Sequence, residues 1–192
     1  MDDGDVAAYL EQYRPGGKLT MNEAELRYLL GRELLNRAKE IRKAKMLIKK
    51  IIYITIATSN RKSVPWNSPV FCAYDKNYNF YWISAEKTVH SINIEQNENV
   101  ALVIYDSTVP EGAGFGVYIK AKASEVRSRK EVRMALSLLY KRKHQAPPSP
   151  MEFMGRSRRK VYKAVPVHVW TNDLMEKQED KLKFLRFPIK LV

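Results

Sequence analysis

From Ile51 onward the apolar residues of this chain recur at every second position in short runs, a period that suits strands with one face in a core. Ile52, Ile54 and Ile56 alternate with Tyr53, Thr55 and Ala57. Comparable runs occur at residues 68–74, 79–84, 100–105 and 116–126; in the last, Val117, Ile119, Ala121 and Ala123 share one side, with Tyr118, Lys120, Lys122 and Ser124 on the other. A final strand is expected over residues 161–170, with Val165, Val167 and Val169 on one face and Pro166, His168 and Trp170 on the other. Many short, mostly antiparallel strands joined by brief turns point to a barrel or a sandwich.

Before Ile51 the pattern is helical. Thr20 and Glu23 have capping-box spacing, and a helix is expected from there to about Lys49. Leu26, Leu30, Leu34, Ala38, Ile41 and Ile48 form an apolar stripe that needs a partner surface, either the barrel or a second subunit. The basic half of this helix (Arg37, Lys39, Arg42, Lys43, Lys45, Lys49, Lys50) suits RNA or DNA, although a solvated face with a dipole-favoured basic end is the more frequent reason for such a run. Residues 1–18, acidic at the start and broken by Pro15-Gly16-Gly17, read as a disordered tail, residues 19–50 as an added amphipathic helix, and residues 51–192 as the folded domain. Within that domain Ser128 and Glu131 make a second capping box, opening a helix to about Lys143 with Val132, Ala135, Leu136, Leu139 and Tyr140 on one face. The proline-rich stretch 144–158 is a connector or a lid.

The stretch from Val64 to Ile94, VPWNSPVFCAYDKNYNFYWISAEKTVHSINI, concentrates the candidate chemistry. Ser84 falls where a strand gives way to a helix expected from about Glu86, with Lys87 and Thr88 in its first turn and His90 one turn in. A helix start offers unpaired N–H groups, and here two hydroxyls and an ammonium join them, which suits a phosphate. A Ser in this position taken alone is more often an ordinary helix cap. The aromatics Phe80, Tyr81 and Trp82, the polar pair Asn67 and Ser68 before Pro69, and His90 move the reading toward a phosphate anchor.

These residues resemble a family. S-P-V on one strand, F-Y-W-x-S on the next, then K-T-x-H and N-E-N-V-A-L-V-I-Y-D, look like the pyridoxamine 5'-phosphate oxidase-like proteins, the FMN-binding split barrels. The resemblance covers residues 52–126 and returns over 165–172 with V-x-V-W-x-N. It implies a mainly β, α+β fold: a six-stranded antiparallel split β-barrel, here with the long N-terminal helix added. It implies FMN as cofactor, its phosphate held by Ser84, Lys87 and Thr88, with Asn67, Ser68, Val70 and the backbone of Trp82 and Ile83 against the ring or ribityl chain. Gly116 stands where some members present a polar side chain to the flavin, so only backbone contact is expected there. Trp170 is expected to close the site from the partner subunit of a homodimer, with the flavin at the interface passing a hydride or electrons to a small substrate.

Members that oxidise pyridoxamine phosphate look to a basic residue at the position of Asn67, a lysine at that of Cys72 and an R-x-H pair near the C-terminus; this chain has none of these, its late arginine standing in Arg186-Phe187-Pro188. True pyridoxamine phosphate oxidase activity is therefore not expected.

The remaining observations narrow the alternatives. A formal charge of +13 favours polyanions, but the charge concentrates at residues 37–50, 141–143 and 156–163, outside the stretch resembling the flavin site. The single Cys72 rules out an intramolecular disulfide framework and fits a reducing compartment. No secretory signal or membrane span is expected, which suggests a cytoplasmic protein. His90, His144 and His168 lack ligand spacing, so no metal site is expected. Gly112, Gly114 and Gly116 lead into a strand, which argues against a dinucleotide loop, and no nucleophile elbow or P-loop occurs. The chemistry then falls to a cofactor.

Overall fold

The computed structural model describes residues 23–173 and 185–192, without the side chains of 23–36, 173 and 185–187. The expected tail and Thr20 of the capping box lie outside the described residues, as do the side chains of Glu23, Leu26, Leu30, Leu34 and Arg186. The chain divides into two units, residues 1–36 and 37–192. Of the first, the described part is the opening of helix α1, which runs Glu23–Lys50; the rest of that helix and every other element belong to the second.

The period-two runs become strands β1 (Tyr53–Ser59), β2 (Pro65–Tyr74), β3 (Phe80–Ala85), β4 (Asn99–Tyr105), β5 (Gly116–Glu125) and β6 (Arg159–Asp173). They pair antiparallel in the order β3-β2-β1-β4-β5-β6, and a further β3–β6 pairing closes the barrel. Closure removes the exposed edges that an open sheet of this size would present. Helix α2 (Val89–Gln96) follows β3, α3 (Arg129–Arg142) follows β5, and a 3-10 turn, Pro150–Phe153, precedes β6. A short strand β7 (Leu185–Pro188), for which the sequence offers no clear signal, pairs with the last residues of β6.

Alternation fills the barrel. Ile54, Ile56, Leu102, Ile104, Val117 and Ile119 point inward and are buried around Trp82, each contributing about 1.5–3 kcal/mol by leaving water. Ile52 stays exposed because β1 begins only at Tyr53. On α1, Ala44 and Ile48 join this core with Ile41 packed against it, whereas Ala38, expected in the same stripe, is exposed. Outside the barrel, α3 lays Val132, Ala135, Leu136 and Leu139 over Ala73, Tyr81 and Val161, and Phe153 of the 3-10 turn completes that cluster.

Three local expectations are corrected. The alternation expected over 161–170 breaks at a β-bulge opposite Lys120 and Ala121, so Val169 is buried while Val165 and Val167 are exposed. Pro166 accounts for the break, because it has no N–H for a ladder and strands admit proline at bulges or edges. Ser128 precedes α3 but makes no side-chain cap; Glu131, its expected partner, takes the Lys163 ammonium at 2.8 Å and the Tyr81 hydroxyl at 3.3 Å. The reciprocal box forms instead at Ser149 and Glu152. Third, α2 begins at Val89, three residues later than expected, because Thr88 is the residue whose hydroxyl accepts from the Ser91 N–H. Lys87 and Thr88 therefore precede the helix instead of forming its first turn.

Candidate functional site

β2 and β3 pair only where Cys72, Ala73 and Tyr74 face Trp82, Tyr81 and Phe80. Upstream of Cys72, β2 keeps β1 as its partner, and beyond Trp82, β3 keeps β6. The wall is thus split between residues 68–70 and 83–85. Ser68 and Val70 are buried on the barrel side of β2, and Asn67 between Ser68 and Trp66 is exposed. The Ile83 side chain packs outward against the α3 cluster, so only its backbone borders the split.

Helix α2 closes this end of the barrel with an unusual face. It buries His90, Ser91, Asn93 and Ile94, leaving Val89 and Ile92 exposed. The buried polar groups find partners, as burial requires: Asn93 Nδ2 donates to Thr58 Oγ1 at 3.0 Å. His90 spans the split, with Nδ1 3.2 Å from Ser68 Oγ and Nε2 2.7 Å from Ser84 Oγ. Trp66 Nε1 donates to Ser68 Oγ at 3.0 Å, and Ser84 Oγ lies 3.2 Å from Thr88 Oγ1. With the proton on Nε2, Ser68 donates to Nδ1 and Nε2–H donates to Ser84, which leaves one proton of the chain, that of the Ser84 hydroxyl, uncommitted to His90. Burial lowers the His90 pKa, which favours this neutral, single-proton form. The Ser84 hydroxyl proton is then free to turn toward an anion.

A further cation comes from a distant part of the chain. Lys160 lies opposite Ser84 in the β3–β6 register and is buried, its ammonium donating to the Gly155 carbonyl at 2.5 Å. An ammonium has three donors, so capacity remains for an anion at this mouth. Sequence reading missed Lys160 because its basic stretch lies far along the chain; a strand pairing signal between β3 and β6 is what would have found it. Lys87, by contrast, is exposed ahead of α2.

The sequence candidates therefore form two groups. Ser68, Val70, Trp82, Ile83, Ser84 and Thr88 border one end of the barrel, with Asn67 and Lys87 at its rim. Gly116 and Trp170 sit elsewhere: the Gly116 N–H donates to Asn172 Oδ1 at 2.5 Å, and Trp170 faces Tyr118 across β5 and β6. Trp170 is ten residues along β6 from Lys160, a contour of roughly 30 Å. Gly116 is explained locally, since a Cβ there would meet the Tyr118 ring at 3.2 Å.

The donor set fits a phosphate-bearing cofactor: the Ser84 hydroxyl, the Lys160 ammonium, and strand edges without a ladder partner across the split, with the Thr88 hydroxyl beside them donating to Ser91 Oγ at 2.8 Å. Trp82 Nε1, buried with no partner among the described residues, marks a further polar atom inside the barrel. Burial pushes the Cys72 thiol up to about 12 despite the nearby Arg142, which disfavours the thiolate a nucleophile needs. Among the described residues, no group of three or more His, Cys, Asp or Glu is placed to hold a metal ion, and no helix is long and apolar enough to cross a membrane.

Residues 41–173 match the sequence model of the pyridoxamine 5'-phosphate oxidase family. No curated protein matches the chain. Among solved structures, a candidate 5-nitroimidazole antibiotic resistance protein from Bacteroides thetaiotaomicron superposes with a TM-score of 0.57 at 15% identity, covering 68% of this chain and 81% of its own. HutZ, the haem storage protein of Vibrio cholerae, gives 0.53 at 15% identity over 64% of this chain and 86% of its own. General Stress Protein 26 of Bacillus anthracis gives 0.51 at 14% identity, covering 77% and 98%. At these identities the likeness is one of fold.

Proposed function

The chain belongs to the pyridoxamine 5'-phosphate oxidase family, and on that premise we propose that it binds FMN and serves as a flavin-dependent oxidoreductase for a small substrate other than pyridoxamine phosphate. The observation that carries this reading is the split between β2 and β3, bordered by Ser84, Thr88 and the buried Lys160. The phosphate rests on those hydroxyls and that ammonium; residues 67–70 and the backbone at 82–83 border the ring and ribityl chain. Bound there, the flavin supplies hydride or electron transfer. The chain's own residues hold and orient it, and His90, when its proton is on Nε2, leaves the Ser84 hydroxyl as a donor. The positions of Asn67 and Cys72 lack the cations associated with pyridoxamine phosphate, which argues against that substrate.

A second reading keeps the fold and drops turnover: a binding module for haem or a deazaflavin, favoured by the haem storage protein among the fold neighbours. One experiment addresses both. The absorption spectrum of protein purified without added cofactor, with mass analysis of the released chromophore, is expected to show oxidised flavin and FMN. A haem spectrum selects the second reading, and a colourless protein that takes up no added FMN overturns the first. Ser84→Ala with Lys160→Met is expected to weaken FMN retention at least tenfold, as expected when charge-assisted bonds worth roughly 1.5–3 kcal/mol each are removed.

A further inference from the structure

Away from the split, α1 and the β2–β3 turn enclose an open groove of about 440 Å³. Its helical wall presents Arg42, Lys45 and Lys49, at i, i+3 and i+7 on one ridge, and its opposite wall presents Tyr74 and Tyr78. We propose that this groove binds single-stranded nucleic acid, with the three cations on consecutive phosphates and Tyr78 under a base.

Four observations support this surface over an ordinary solvated helix. Two other α1 lysines are neutralised locally, Lys43 by Glu40 at 2.7 Å and Lys50 by Asp106 at 2.6 Å, whereas Arg42, Lys45 and Lys49 have no carboxylate partner among the described residues. Arg42, Lys45 and Lys49 share one ridge that spans about 10 Å along the helix axis, so a single extended strand can pass all three. Arg142 adds a fixed positive charge behind the same wall, its guanidinium 5.3 Å from the Tyr74 ring centre. Finally, the rings are held in place: Tyr74 and Tyr78 stack at 5.2 Å and 5°, and Tyr78 adopts φ 58, a backbone region costly for a bulky residue.

The rings select the partner. Tyr78, stacked on Tyr74, also has the Lys45 ammonium 5.7 Å from its ring centre, on an exposed side chain. A base that displaces this ammonium gains a stacking surface and leaves it beside the adjoining phosphate. Bases in a duplex are already stacked, and the carboxylates of an acidic peptide offer no aromatic ring to stack there. The formal charge of +13 adds long-range attraction.

Fluorescence anisotropy with a labelled single-stranded RNA of roughly twelve nucleotides tests the proposal across a salt series. The triple variant Arg42→Ala, Lys45→Ala, Lys49→Ala is expected to lose at least tenfold in affinity, and its log–log salt slope is expected to flatten by about two. Tyr78→Ala is expected to weaken binding several-fold with the slope unchanged. The control triple Lys62→Ala, Lys122→Ala, Lys130→Ala removes the same charge from other exposed positions and is expected to stay within about threefold of the parent. Equal losses in the two triples, absence of binding at low salt, or equal affinity for a duplex of the same sequence would each overturn the proposal. Circular dichroism of each variant checks that these surface changes leave the fold intact.

Discussion

At the scale of single residues, His90 connects the fold to the site. Its ring joins Ser68 on β2 to Ser84 on β3, where no backbone ladder does so. Its pKa is depressed from 6.5 by burial, so the unfolded chain takes up this proton at higher pH than the folded one. The stability it contributes is therefore full above about pH 6.5, declines as pH falls below that, and levels off once the folded imidazole is protonated too. Urea unfolding between about pH 7 and pH 5.5 is expected to show a steeper loss for the parent than for His90→Gln, which should itself cost about 1–3 kcal/mol at pH 7 by leaving a buried hydroxyl unpaired. Superimposable pH slopes would remove His90 from this role. Ser84, Thr88 and His90 were legible in the sequence because they lie close together at the end of an aromatic strand. Lys160 was not, since only the closing β3–β6 register brings it opposite Ser84.

Among the elements, Arg142 fixes α1 to the barrel. From the end of α3 its guanidinium donates to the carbonyls of Ile48 at 2.8 Å, Cys72 at 2.9 Å, Lys49 at 3.0 Å and Ile51 at 3.2 Å. It meets the negative end of the α1 dipole and its otherwise unpaired carbonyls. Arg142→Ala is expected to destabilise the protein by about 2–4 kcal/mol, and Arg142→Lys to recover less than half of this, because an ammonium lacks the planar fork. Hydrogen exchange gives the local readout: amides near Lys50 should lose protection before those of β1, and uniform loss would mean that Arg142 supports the whole fold equally. The strands were legible wherever one face met the core and the other met water. α2 was placed too early because it inverts that rule, burying His90, Ser91 and Asn93 and exposing Val89 and Ile92. The Val165 to Trp170 alternation failed because Pro166 forces a bulge that periodicity does not register.

For the whole molecule, the two groups of candidate residues make a case for assembly. α3 covers the outer face of β2, β3 and the start of β6, whereas Val165 and Val167 on β6 remain exposed near Trp170, whose ring lies 5.6 Å from the Lys120 ammonium. Apolar side chains exposed together on a strand suit a partner surface, and in a two-fold dimer the same patch meets itself. We propose a homodimer in which a flavin between the Ser84 group of one protomer and Trp170 of its partner would use both groups in one site, since a single chain leaves them far apart. This arrangement makes a quantitative prediction. Ser84→Ala, Lys160→Met chains and Trp170→Ala chains should each retain FMN poorly, yet after unfolding and refolding together in equal amounts about a quarter of all sites should recover, since half the dimers are mixed and each mixed dimer carries one intact site. Titration of the mixture with FMN measures that fraction. Recovery of none would place Trp170 and Ser84 in separate roles, and a monomer by light scattering in the presence of bound FMN would remove the shared site altogether.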